Sequence, residues 1–526
     1  MTVPAPTITT DVLVVGAGPA GLATAVSALR HGAGVLVVER RAGISTVPRA
    51  TGVSTRTMEI FRSWGVDDAV RAGRVDCEPR IAVHHTLAEP PLTEVPIGYP
   101  SMREALAVSP AHPVICPQDH IEPLLVEQIR RLGGAVRFGT ALVGLRLDAG
   151  GYGVRGELVA ADGTAVAAVR ARFVVGADGT CSPVRTALGI GLERLGTLGE
   201  FAQVQFRPDL SALLGRRLHA LNVVEHPDAT GMLLPVGDGR WTYSQRWFPE
   251  RGQSLADYTP QRWVALLRTA TGLPRLRPQL LAARPFTMAA AVATRYRSGS
   301  GFLVGDAAHR MTPIAGIGMN TAIHDGHELG WRLAWVLRGL AGEALLDSYA
   351  AEREPAGRAN ALRSLREGGA EPGDGLPVDI GRGYRSAVIA ADGAPSTAVT
   401  RLVQQAAPGE RAPHVWVRRH GRRCSVLDLF EDRLTVLAGR AGDGWTRAAD
   451  RLTGMPLQVH VAGRGLSDEH GDLSRTYRLG ERSAVLVRPD GVVAWRHDGS
   501  CADPVATLAA AVALATGQST SEALAV

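Results

Sequence analysis

Lysine is missing from this 526-residue chain, so all 57 of its basic side chains are arginine. We read that bias as codon usage and not as selection for phosphate recognition. No arginine-rich block stands out, which excludes a nucleic-acid-binding tail. Cysteine is scarce: Cys77, Cys116, Cys181, Cys424 and Cys501 lie too far apart for a CxxC or a metal-binding pair. This spacing excludes a dithiol or thiolate-metal centre and fits reduced thiols in the cytoplasm. No apolar run reaches membrane-spanning length, and MTVPAPTITT has neither a basic n-region nor an apolar h-region. Neither an integral membrane protein nor one exported on a signal peptide is therefore expected. What remains, 45% hydrophobic and 21% charged residues, is ordinary globular composition, and the length allows roughly two to four domains.

The most informative segment runs from Asp11 to Arg40, DVLVVGAGPAGLATAVSALRHGAGVLVVER. It holds a strand, a Gly-rich turn, a helix and a second strand, and so specifies a dinucleotide-binding βαβ unit. Gly16 permits the tight turn, Gly18 lets the backbone approach a pyrophosphate and Gly21 allows close packing of helix on strand. Pro19 and Ala20 open the helix, whose N-terminal N–H groups and dipole favour the pyrophosphate charge. Glu39 closes the second strand, placed to accept from a ribose 2′-hydroxyl, which argues against NADP as the ligand of this unit; Arg40 follows it. No second GxGxxG occupies a strand-to-helix turn. The net charge of +6 is mild and suits an anionic nicotinamide cofactor without demonstrating one.

Along the chain, Ser54 to Val70 reads as one amphipathic helix, with Met58, Ile60, Phe61 and Trp64 as its apolar markers. Residues 81–112 read as strands and loops and Gln118 to Leu132 as a helix. Turns at Ala149-Gly150-Gly151 and Asp162-Gly163 mark a β-meander ending in RARFVVGADG. From Glu200 to Thr294 the period is two, with a hairpin at Asp238-Gly239. That alternation puts Trp241, Tyr243, Gln245 and Trp247 on one face and Thr242, Ser244, Arg246 and Phe248 on the other, one of them roofing a ligand. A strand, GFLVGDAAH, then leads to helices over Gly318–Gly339 and roughly Ser348–Arg366. Residues 368–394 read as a linker. SVLDLF, RLTVLAG, LQVHVAG and SAVLVRPDGVVAWR read as strands of a separate C-terminal α/β domain.

Three segments matter together: the βαβ unit, VVGADGTCSPVR (Val174 to Arg185) and FLVGDAAHRMTPIAGIGMN (Phe302 to Asn320). Gly305-Asp306 ends a buried strand, where ligands of open α/β sheets are approached, and its carboxylate suits a sugar-like hydroxyl chain. If a flavin ring lies on the loop Pro313–Asn320, the N–H groups of Gly318, Met319 and Asn320 face its pyrimidine edge and stabilise negative charge there.

In these motifs, from Asp11 to about Pro355, the chain resembles the FAD-dependent aromatic monooxygenases of the para-hydroxybenzoate hydroxylase type. Within that family it is most similar to the tailoring hydroxylases of polyketides, which carry a thioredoxin-like C-terminal domain. The resemblance implies an α/β fold: a Rossmann-like, GR2-type FAD-binding domain (1–80, 105–185, 285–367), an inserted antiparallel substrate sheet (81–104, 186–284) and a thioredoxin-like domain over 395–526. It implies that Glu39 binds the adenosine ribose, Arg49 approaches the pyrophosphate and Gln118 contacts the ribityl region. Asp178-Gly179 lie between flavin and nicotinamide sites, Asp306 on the ribityl chain, and Pro313, Gly316, Gly318, Met319 and Asn320 around the isoalloxazine. FAD stays bound, NADPH or NADH visits, and a flavin C4a-hydroperoxide hydroxylates a bulky aromatic. Baeyer–Villiger insertion and an O2-independent flavin dehydrogenase are the alternatives. A monomer or homodimer without nucleic-acid or membrane partners is expected. AGIGMN departs from the family's two adjacent glycines at Ala315, and the C-terminal domain has no CxxC, so no dithiol activity follows.

Around this frame, Tyr243, Arg246 and His219 are candidates to orient or deprotonate a phenol, with Pro313 and Gly318 shaping the reacting end. His309 is read as capping or packing, His324 and His327 beside Asp325 as helix surface and not a metal site, and Trp331 and Trp335 as core. Deleting residues 395–526 is expected to spare flavin binding.

Overall fold

The computed structural model describes residues 6–46, 50–148, 153–208, 218–366, 375–390, 402, 404–430, 432–468 and 471–525. The turn expected at Ala149-Gly150-Gly151 lies outside them. A first sheet runs in the order Ala135–Arg137, Val35–Val38, Thr7–Val15, Ala165–Gly176, Gly301–Leu303 and Arg297–Ser298. All neighbours are parallel except the last pair. Parallel strands are covered on both faces, which is why they are apolar runs. All four residues of Val35–Val38 are buried. The meander Thr140–Leu147, Val154–Ala160 feeds the central strand as expected.

The second, mostly antiparallel sheet has eight strands: His309–Arg310, Gln279–Ala293, Leu192–Arg207, Trp241–Trp247, Gly231–Pro235, His219–Val224, Glu78–His84 and Thr93–Pro96. The pair His219–Val224 and Glu78–His84 is parallel, knitting residues from before residue 100 into the later sheet. The strand Gln279–Ala293 pairs along its whole length in this sheet, so the domain change expected at 285 falls inside a strand.

Three local readings need correction. The helix expected over Ser54–Val70 is two, Thr55–Ser63 and Asp67–Ala72, because Gly65 adopts φ +72° between them. The period-two reading of 200–294 hides a helix, Pro260–Thr271, capped by Thr259 and ended by left-handed Gly272. Its signal was in the sequence: Trp263, Leu266, Leu267 and Ala270 recur at helical spacing, and all are buried. SVLDLF is not a strand; Val426–Leu429 is a 3₁₀ turn closed by a capping box of Ser425 and Asp428.

The C-terminal part has the strand, helix, strand, hairpin, helix order of a thioredoxin-like fold. Leu434–Ala438 pairs in parallel with Leu457–Val461 around the helix Asp443–Ala449. The hairpin Ala484–Val487, Val493–His497 and the helix Pro504–Thr516 complete it. Its core continues without a break into Trp331, Trp335 and Leu345 of the long helices Gly318–Leu337 and Glu343–Arg363.

Candidate active site

The three glycines of the first turn differ in what surrounds them. A Cβ on Gly16, at φ +111°, would stand 2.2 Å from the Ala177 carbonyl oxygen, and one on Gly21 2.0 Å from the Gly16 oxygen. Turn and helix–strand contact therefore both require glycine. A Cβ on Gly18 would meet nothing within 4 Å. Gly18 borders open space at the N-terminus of the helix Pro19–Arg30, which has no side-chain cap and no acid in its first turn. Gly179, at φ +85°, borders open space in the same sense.

Glu39 is buried at the rim of this space. Its Oε2 accepts from the Ala17 N–H at 2.9 Å, and its Oε1 from the Arg41 N–H and Nε at 3.0 and 2.9 Å. Burial works to raise the carboxyl, but these hydrogen bonds, led by the Arg41 side chain, outweigh it and hold the group below its ordinary range. The partner is thus Arg41, whereas Arg40, the residue named from sequence, is exposed. Arg49 lies outside the described residues. Gln118 donates through Nε2 to Glu122 Oε1 at 2.7 Å. Asp178, expected between two cofactors, spends its oxygens locally: Oδ1 accepts from Ser182 Oγ at 2.5 Å and Oδ2 from the Val184 N–H at 2.9 Å. Burial nevertheless raises its carboxyl above the usual value.

The βαβ helix and the helix Gly318–Leu337 lie against each other through small residues. A Cβ on Gly326 would stand 2.5 Å from the Ala20 oxygen, and one on Gly330 2.5 Å from Ser27 Cβ. Gly305, at φ +58°, wedges between Ala20 and Ala322. Two helix N-termini are thereby brought to one cleft, with exposed Asp306 between them. The second helix also lacks a side-chain cap and a first-turn acid, leaving the N–H groups of Gly318, Met319 and Asn320 without side-chain acceptors. Before it, Pro313–Ala315 forms a 3₁₀ turn and Gly316 turns left-handed at φ +64°.

Sequence reasoning missed what holds this loop. The Tyr99 hydroxyl donates to the Gly316 carbonyl at 2.8 Å. Asn320 Oδ1 accepts from the Ser54 N–H and Thr57 Oγ1, while its Nδ2 donates to the Gly52 and Gly316 carbonyls. The Asn320 side chain is therefore a brace, and only its backbone N–H is left for a ligand. Beneath the loop, Asp325 is fully buried, taking His309 Nε2 at 2.5 Å, Arg353 Nε at 2.8 Å and the Gly305 N–H at 3.0 Å. Burial opposes its charge, but His309 and Arg353 prevail and lower the carboxyl to about 2. This confirms a packing geometry for His309. Asp325 shares its helix face with buried Thr321, Glu328 and Arg332, a polar stripe that in the sequence reads as solvent-facing.

Tyr243 is not in the cleft. Its hydroxyl donates to the Ala229 carbonyl at 2.9 Å and its ring meets Trp263 edge-on, because the unforeseen helix Pro260–Thr271 covers the Trp241–Tyr243 face. The opposite face carries Thr242, Ser244 and Arg246; Arg246 is exposed, 5.0 Å from the Phe248 ring. Register places Ile81, Val83, Leu221, Val223, Met232 and Leu234 on that same face, and every one is half-buried. The result is an apolar wall. At the sheet's opposite edge His309–Arg310 runs into the loop Pro313–Gly318, and on the wall's own side the chain leaving the edge strand Thr93–Pro96 reaches that loop through Tyr99. His219 sits at the other side of the sheet, with Nε2 3.3 Å from Glu94 Oε1.

His324 and His327 are packed inside and not on a surface as expected: His324 Nε2 lies 3.1 Å from Thr57 Oγ1, and the His327 ring 6.0 Å from Trp64. Burial, with nearby arginines, holds both imidazoles well below their ordinary range. No metal-binding cluster occurs among the described residues.

A family model described as an FAD binding domain matches residues 9–364, and one for the aromatic-ring hydroxylase C-terminal domain matches 405–519. The chain belongs to the FAD-dependent aromatic-ring hydroxylases. This hydroxylase is 41% identical over 523 residues to the aklavinone 12-hydroxylase of Streptomyces purpurascens, covering 95% of this chain and 97% of that one. It is 36% identical over 526 residues to the tetracenomycin B2 monooxygenase-dioxygenase of Streptomyces olivaceus, covering 94% and 97%. A solved ternary complex of aklavinone-11 hydroxylase with FAD and aklavinone matches at a TM-score of 0.89 and 37% identity, covering 97% of this chain and 99% of that one. The cleft suits the cofactor: Gly18 leaves open space at a helix N-terminus, Glu39 is an ionised acceptor, and two uncapped helix N-termini favour negative charge.

Proposed function

We propose that this hydroxylase acts on a planar polycyclic aromatic of the polyketide type, with NADPH or NADH as electron donor and O2 as oxidant. The observation that carries the substrate class is the apolar wall: six aliphatic side chains on adjacent strands, half-buried on one face of the sheet. Flat aliphatic area of that extent suits a fused ring system, whose burial releases water in proportion to its apolar surface. The named relatives, by their names, act on aklavinone and tetracenomycin B2.

FAD, when bound, supplies the redox and oxygen chemistry. In our reading Gly16, Gly18, Pro19, Ala20 and Gly21 receive its pyrophosphate, Glu39 its adenosine ribose and Asp306 its ribityl chain. The N–H groups of Gly318, Met319 and Asn320 stabilise negative charge at the ring's pyrimidine edge. Pro313 and Gly316 shape the loop between ring and substrate, and the wall excludes water from the reacting face. Arg246, at the exposed end of the wall, orients a substrate oxygen. We further propose a cytoplasmic location, supported by five free thiols, and action as a monomer or homodimer.

The test is turnover of a hydroxyanthraquinone panel under 18O2. We expect substrate-dependent NAD(P)H consumption and one labelled hydroxyl oxygen per product. Consumption indifferent to every aromatic, with all oxygen recovered as hydrogen peroxide, overturns the reading.

A further inference from the structure

The strand Leu192–Arg207 alternates between the two faces of the second sheet. Ala202, Val204 and Phe206 enter the core under the helix Pro260–Thr271, so Gln203 and Gln205 stand on the apolar wall. Contacts agree: Gln203 Nε2 donates to Ser244 Oγ at 3.1 Å, and its Oε1 accepts from Arg284 Nε at 3.1 Å and Nη2 at 3.0 Å. Gln203 is held at both its oxygen and its nitrogen by neighbours and braces the wall. Gln205, one pleat further, is different. It is 4% exposed, and its amide nitrogen is buried without any hydrogen-bond partner.

A buried amide donor left unpaired is uncommon and carries a desolvation penalty that only an acceptor removes. Position says where that acceptor comes from. Gln205 lies opposite Thr242, and Leu234 pairs with Thr242 on the next strand, so the aliphatic wall begins one strand beyond the amide's immediate neighbour. The hairpin that carries Thr242 docks on the FAD-binding part: Arg240 bonds Asp119 Oδ2 at 2.6 Å, beside Gln118. Gln205 therefore stands at the end of the wall that meets the cofactor-binding domain. The Ser244 hydroxyl, which accepts from Gln203, still has its own hydrogen to donate on the adjacent strand.

We propose that Gln205 is a specificity-determining residue, whose amide N–H donates to a ring carbonyl oxygen of the polycyclic substrate. This deepens the substrate reading above and rests on it. A quinone is the chemical class it selects: the carbonyl accepts the orphan donor while the fused rings extend across Thr242 onto Met232 and Leu234, the wall residues nearest the amide. An aromatic of the same shape without the carbonyl leaves the amide unpaired and is bound less well.

The FAD-loaded enzyme is titrated with two probes of one shape, 1-hydroxyanthraquinone and 1-hydroxyanthracene, by the change in flavin absorbance. The wild type is expected to favour the quinone about tenfold. Gln205→Met, which keeps length and removes the donor, is expected to erase that preference while leaving 1-hydroxyanthracene affinity and the apoprotein Tm unchanged or raised. A preference that survives in Gln205→Met overturns the inference, as does an equal loss of both probes or a collapsed Tm, either of which makes the amide structural. A wild type that binds both probes equally overturns it while leaving the polycyclic reading intact. A wild type that binds neither probe overturns the polycyclic reading itself.

Discussion

Two carboxylates, Glu39 and Asp325, are held ionised by the same opposition of burial against hydrogen bonds, with different consequences. Glu39 closes its strand beside the Gly-rich turn, bonded to the Ala17 N–H, so under the proposed ribose role Glu39→Ala should weaken FAD affinity by roughly 1.5–3 kcal/mol, the range for a hydrogen bond to a charged group. Equilibrium binding of FAD to the apoprotein checks this, and an unchanged Kd rejects the ribose role. Asp325 has no exposed edge, and its removal strands Arg353 and His309 inside the protein. Asp325→Asn is expected to cost about 3–5 kcal/mol in unfolding free energy, as when one partner of a buried pair is lost. The carboxyl falls from 3.8 to about 2 on folding. Its contribution is therefore present above the unfolded value and lost as pH drops from about 4 to about 2. Denaturant melts across that window should show an acid-side loss in the wild type that Asp325→Asn lacks. Glu39 was legible because its strand-end position is local, whereas Asp325 was not, since its partners come from positions 309 and 353.

At the scale of elements, the helices Pro19–Arg30 and Gly318–Leu337, whose N-termini converge, explain why glycines in one motif tolerate change so differently. Gly18→Ala adds a methyl group to open space at an ordinary φ of −84°. It should leave the apoprotein Tm in place and lower FAD affinity. Gly21→Ala drives a methyl group into the Gly16 carbonyl, and should lower the apoprotein Tm itself. Thermal melts and FAD titration of both variants separate the cases; equal loss of Tm in the two would reject a ligand role for Gly18. The βαβ unit, the meander and the hairpin were legible because pattern and turn chemistry are local. The helix Pro260–Thr271 was overlooked beneath a period-two reading, and with it the choice of face on the strand Trp241–Trp247. Both faces carry buried residues there, and only the helix that covers one decides that Tyr243 is core and Ser244 stands on the apolar wall.

For the whole molecule, the C-terminal domain is not the detachable module that its linker-like border suggests. Trp331 and Trp335 of the FAD-binding part enter its core. Buried Arg488 holds Glu352 through both oxygens at 2.8 Å and Asp490 at 2.7 Å, while Arg332 reaches Glu352 at 2.5 Å. Removing residues 395–526 strips Glu352 of Arg488 and exposes two tryptophans, so the shortened chain is expected to be insoluble or free of flavin, contrary to the sequence expectation. A soluble yellow product retaining stoichiometric FAD would show that the shared core is dispensable. By itself, the sequence determined the βαβ unit, the cofactor it takes, the order of segments and the absence of a redox thiol pair. These follow from near-neighbour spacing, backbone conformation and residue chemistry. Only the tertiary structure decided the Asn320 brace, the buried Asp325 triad, the face that carries the apolar wall and the fusion of the two cores. Each depends on side chains tens to hundreds of positions apart, whose meeting is set by how sheets and helices stack and leaves no periodic trace along the chain.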